Sequence, residues 1–95
     1  MSKEVYSENQ GTYISGVATT QVATGRAEIV GILVGTTDAG AITVYNEIGS
    51  GTTDIKAVLK ASIAENYYPI NVICSTGIKV VTAASPTITV VWGQT

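Results

Sequence analysis

The side chains able to do chemistry are few and scattered. Three carboxylates, Asp38, Glu47 and Asp54, lie in or beside stretches rich in glycine, threonine and serine. Two carboxyl groups held roughly 5 to 9.5 Å apart can cleave a glycosidic bond, one as acid and the other as nucleophile or base. Nothing in their spacing fixes such a separation, and the plain reading is three solvated loop acids. The chain has no histidine, so the most common general base and metal ligand near neutral pH is missing. A Ser-His-Asp or Cys-His arrangement therefore cannot be assembled. Cys74 is the single cysteine. It can form no intrachain disulfide, is too few for a cysteine zinc site, and within "INVICST" reads as a buried thiol. The glycine-rich "GILVGTTDAG" has no following Lys-Ser/Thr and lies between strand-like runs, so its glycines read as a bulge and turns rather than a phosphate cradle. The expectation is a chain that is not an enzyme, with no catalytic residue, no cofactor and no metal.

The aromatic residues allow three readings. Trp92 can cap one end of a core while Tyr67 or Tyr68 anchors a loop, each with its polar tip at the surface. Alternatively, Tyr6, Tyr13, Tyr67 and Tyr68 stand at subunit contacts, where tyrosine is enriched. The third reading is a flat platform of Tyr67, Tyr68 and Trp92 for sugar rings.

The elements that would carry these side chains are strands. Valine, isoleucine and threonine number 12, 11 and 14, and there is no phenylalanine. β-Branched side chains lose rotamer freedom in helices and pack well on a pleated surface. Ninety-five residues make one domain. Charged residues are only 13 %, against about 25 % in an average soluble domain. Either partners cover much of the surface, or Thr, Ser, Asn and Gln supply its polarity. A net charge of −2 with five basic residues speaks against nucleic acid as a partner, which would require clustered Lys and Arg. No run reaches the 18 or so apolar residues of a membrane helix. Residues 1–20 hold no continuous apolar stretch of the signal-peptide kind, and the lone cysteine suits synthesis in a reducing cytosol.

Residues 1–11, "MSKEVYSENQG", have no apolar period and read as an arm, leaving 12–95 as the folded domain. "TYISGVATTQV" is one bent strand or two short ones broken at Gly16. "RAEIVGILV" sets Ala27, Ile29, Gly31 and Leu33 on one face and Glu28, Val30, Ile32 and Val34 on the other. Both faces are apolar at mid-strand. A sandwich strand needs one core face, so the second either asks for a cover or sits in a thicker core. "AITVYNE" is the next strand, followed by the glycine-rich loop "IGSGTTD". "DIKAVLKASIAEN" fits strand alternation from Ile55 through Ile63 better than a helix. "YYPINVICS", "IKVVT" and "TITVVW" complete about seven strands, the last two read as a hairpin closed by "AASP". The predicted fold is all-β, an antiparallel sandwich or small barrel with an N-terminal arm.

"GRAEIVGILVGTTDAGAITVYNEIGSG" and "PINVICSTGIKVVTAASPTITVVW" carry a resemblance. Over roughly residues 12–93 the chain resembles the small β-sandwich virion proteins of tailed bacteriophages. The matching stretches are Gly25 to Val34, Gly40 to Asn46, Ser75 to Val81 and Thr87 to Trp92. The resemblance implies a virion structural protein made in the host cytoplasm, with no active-site residues to carry over. It would be a capsid decoration (cement) protein, or a head-fibre or tail component. The implied partners are the major capsid protein or other virion proteins, and copies of itself, a trimer first. The rival from another class is a carbohydrate-binding module. The candidate interface is Val5, Tyr6, Tyr13, Ile14, Val30, Ile32, Tyr67 and Tyr68, with residues 1 to about 15 reaching a neighbour by strand addition.

Overall fold

The computed structural model describes residues 9–94. The described residues form eight strands and no helix: β1 (Gln10–Ser15), β2 (Ala18–Thr24), β3 (Ala27–Thr36), β4 (Ile42–Tyr45), β5 (Ile55–Leu59), β6 (Tyr67–Cys74), β7 (Gly77–Thr82) and β8 (Thr87–Gln94). They make two four-stranded antiparallel sheets, β1-β8-β3-β6 and β2-β7-β4-β5. These pack into the predicted sandwich. The first strand starts at Gln10, so the fold takes in two residues that the sequence reading gave to the arm.

Among the described strands, only β4 and β5 are both consecutive in the chain and paired in one sheet. Every other link crosses between the sheets. Gly16 and Gly25, at φ 85° and 83°, make the β1–β2 and β2–β3 crossings, a backbone region that glycine enters without Cβ strain. The expected β7–β8 hairpin is therefore corrected. β7 lies between β2 and β4 while β8 lies between β1 and β3, and residues 83–86 carry the chain from one sheet to the other. Buried Thr82 holds that corner, donating its hydroxyl to Gly16 O at 2.6 Å and accepting from Ala18 N at 3.0 Å.

The core takes alternate residues from each sheet, led by Ile29, Ile32, Val34, Ile88 and Val90 from one and Ile42, Val44, Ile78 and Val80 from the other. The doubly apolar look of β3 has a simple origin. Against β8 the pairing runs Ile29↔Trp92 and then Gly31↔Val91, leaving Val30 as an extra residue. This β-bulge shifts the side-chain parity by one. Ala27 and Ile29 face the core before it, and Ile32 and Val34 face it after. β3 thus has one core face that changes from odd to even numbers.

The stretch from Ile55 is a strand, as expected, but only to Leu59. Residues 60–63 turn instead, with Ser62 at φ 59° and its N–H on Asp38 O at 2.7 Å. That contact ends the alternation before Ile63.

Candidate interaction face

The outer side of the first sheet holds the most exposed apolar row. Tyr13 on β1 pairs with Thr89 on β8, Thr89 with Leu33 on β3, and Leu33 with Tyr67 on β6. Directly paired residues project to the same side of a sheet, so these four form one rung across all four strands. Tyr13 is 66 % exposed, Leu33 46 % and Tyr67 40 %. The next rung, Gly11-Val91-Gly31-Pro69, is low. Tyr67 fills the space above Gly31, where an added Cβ would sit 2.8 Å from its Cε1. The ring thus lies across the sheet and caps a glycine that has no side chain to pack. Ile73, also exposed, extends the patch beside Glu28, its pairing partner and the one charge on these rungs.

The predicted interface residues divide three ways. Tyr13 and Tyr67 lie in the exposed row, and half-buried Val30 sits at the bulge. Ile14 and Ile32 are corrected, since both are core residues at 4 % and 0 % exposure. Tyr68 points inward against the core and donates its hydroxyl to Ala64 O at 2.5 Å, the loop anchor among the readings offered for it. Val5 and Tyr6 lie outside the described residues. Trp92 is core as well, its Nε1–H donating to Thr12 Oγ1 at 2.9 Å. With Trp92 and Tyr68 turned inward, the three-ring sugar platform does not form. Sequence reasoning missed Leu33 and Ile73. Leu33 shares its number parity with Ile29 but follows the bulge, and no signal in β3 alone marks that change.

The second sheet is different, because a loop covers part of its outer side while Ile55 and Val58 on β5 stay exposed. There the rung is Gln21-Lys79-Tyr45-Ile55, and residues 46–54 fold back over it. Lys79 is only 2 % exposed. Its ammonium donates to Gly49 O at 2.9 Å and to Gly51 O, and lies 5.5 Å from the Tyr45 ring centroid. Gln21 pins the same loop, accepting from Gly49 N and donating to Glu47 O. Backbone carbonyls and an aromatic face thereby take over the hydration that burial costs the ammonium.

The three acids once considered for chemistry hold loops. Asp38, fully buried, accepts from Gly40 N at 2.8 Å and Ala83 N at 3.2 Å. Glu47 accepts from Thr53 N, Thr53 Oγ1 and Asp54 N. The Asp54 N–H, then the Thr53 hydroxyl and N–H, hold its carboxyl below the usual range. Asp54 accepts from Asn46 Nδ2 and meets Lys56 at 3.3 Å. Asn46 also accepts from Thr76 N and Gly77 N, tying the loop to the β6–β7 turn. Cys74 is buried, as expected, and burial pushes its thiol up.

No protein family, curated protein or solved structure matches the chain.

Proposed function

We propose that this chain is a non-enzymatic structural protein that works by laying the outer face of its first sheet against other proteins. The class that suits it is a capsid decoration protein of a tailed phage virion, bound to the major capsid protein in closed homo-oligomers, a trimer first. The observation that carries the reading is the Tyr13-Thr89-Leu33-Tyr67 rung, exposed and without charge on a chain that is only 13 % charged. The largest apolar patch on a protein surface is often a contact surface.

Size sets the mode of action. Four strands at about 4.8 Å spacing and about 20 to 26 Å of length give roughly 400 to 500 Å². A standard interface uses about 800 Å² per partner. One face alone makes a weak contact, so retention has to come from several linked copies engaging a repeating surface at once. A shell stabilised from outside supplies that repetition, and so does a fibre or tail.

The test is co-sedimentation of the purified chain with undecorated capsids, beside the Leu33→Glu variant. Saturable binding by the parent chain and its loss in the variant are expected. Equal binding by both would remove the face from the function, and no binding by either would remove the decoration reading.

A further inference from the structure

Each sheet has two edge strands, and three of the four carry a device that discourages pairing with another chain. β6 contains Pro69, a register shift against β3 and Asn71 at φ 58°. β5 is five residues long, contains Lys56 and is followed by Lys60. β2 is bulged at Val22. These are the ordinary protections of a sheet edge. β1 has none. Its six residues, "QGTYIS", include no charge and no proline, and their register with β8 runs unbroken from Gln10↔Trp92 to Ser15↔Thr87. An unprotected edge is a template for an added strand.

We infer that the β1 edge receives residues 1–8 of a second copy of this chain as an added strand. Only Asn9 separates those eight residues from the start of β1. Extended, they span about 26 Å, against about 20 Å for β1. Folding back onto their own β1 would require a tight turn at Glu8-Asn9, and this is not one of the glycine-containing pairs that two-residue hairpin turns favour.

The side-chain pattern fits the site. Val5 and Tyr6 are neighbours, so in a strand they point to opposite sides. With Tyr6 on the outer side it joins Tyr13 and lengthens the exposed row, while Val5 lies on the core side at the margin near Ile14. Glu4 and Glu8 then share the outer side with Tyr6. β1 has no charge to oppose them, and the new edge they form is protected against a further strand, so addition stops after one arm. Each copy offers one donor arm and one acceptor edge, a head-to-tail arrangement that is satisfied only when the ring closes. The inference does not rest on capsid binding. If the ring exists and capsids are ignored, the decoration reading fails alone.

The experiment is light scattering of the full chain at tens of micromolar, with amide exchange on β1. The parent chain should show a mass at least twice its own 9.8 kDa, with protected amides in β1. Deleting residues 1–8 should return the mass to that of one chain and speed exchange in β1, with the β-type circular dichroism unchanged. Full-length Val5→Asp, a change outside the described residues, should lower the mass in the same way. A monomeric parent chain overturns the inference, even with protected β1 amides, since the arm would then be in its own molecule. An oligomer that survives both the deletion and Val5→Asp overturns it too.

Discussion

Lys79 shows how a single residue can be more informative in space than in sequence. In "GIKVVT" it reads as a surface cation on an otherwise apolar strand, yet it is 2 % exposed and organises a nine-residue loop through the carbonyls of Gly49 and Gly51. Hydrogen bonds from charged donors contribute about 1.5 to 3 kcal/mol each in context. Lys79→Met keeps the length and the packing against Tyr45 but not the donors. It should lower unfolding stability by about 1 to 3 kcal/mol and speed amide exchange in 47–53 while β3 and β8 stay protected. Denaturant unfolding with residue-resolved exchange checks this, and an unchanged loop would show that Lys79 is only filler. Glu47 gives the same loop a pH dependence. Its folded pKa lies below the ordinary 4.5, so the unfolded chain takes up its proton first as pH falls. The carboxylate's contribution is complete above about 4.5 and is lost as pH drops through the lower folded value. Stability measured from pH 6 down to 2.5 should therefore fall more steeply in the parent chain than in Glu47→Gln. Parallel curves would mean that the Thr53 and Asp54 contacts do not distinguish the charged form.

At the scale of the element, β3 decides which of its apolar residues reach the surface. The Val30 bulge sends Ile32 to the core and Leu33 to the surface, so two adjacent aliphatics should respond very differently to one change. Leu33→Glu should stay within about 0.5 kcal/mol of the parent, as surface substitutions generally do. Ile32→Glu buries an unpaired carboxylate and should cost more than about 4 kcal/mol, enough to unfold a domain of this size. Thermal melts of the two variants check this, and the reverse order would mean the parity change is absent. The same residue explains what could be read from the sequence. The runs "EIVGILV", "AITVY", "INVIC" and "TITVVW" announce strands by composition alone, because β-branched density is a local property. Core and outer sides are legible where alternation is unbroken, as in β4 against β7, where Ile42 and Val44 share the buried side. They are not legible past a bulge, since a bulge exists only relative to the partner strand. The "AASP" turn failed for a related reason: Ser-Pro marks a change of direction but not whether the chain returns to its own sheet or crosses to the other. On the candidate site, Tyr13 and Tyr67 were found because aromatic surface is conspicuous in any context. Ile14 and Ile32 were misassigned because an aliphatic residue looks the same on either side of a strand.

Across the whole molecule, chain neighbours are seldom sheet neighbours. Apart from β4 with β5, each pairing joins strands separated by other elements, and the first strand lies beside the last, Gln10 opposite Trp92. Such a sheet cannot be built from local hairpins upward. Loop-closure entropy has to be met before the apolar contacts that offset it are in place. Trp92 is the single tryptophan and donates across to Thr12 on β1, so its fluorescence reports the closing of the first sheet by its N-terminal strand. Refolding followed at that residue should take milliseconds to seconds at 25 °C, as all-β topologies of high contact order do. During that interval β8 and β3 expose their apolar sides, and dilution should matter: refolding yield ought to fall as protein concentration rises, even where the equilibrium unfolding curve does not change. Stopped-flow fluorescence at two or three protein concentrations measures both. A relaxation in microseconds would show that β1–β8 closure is not limiting, and that the order of assembly inferred from the strand topology is wrong.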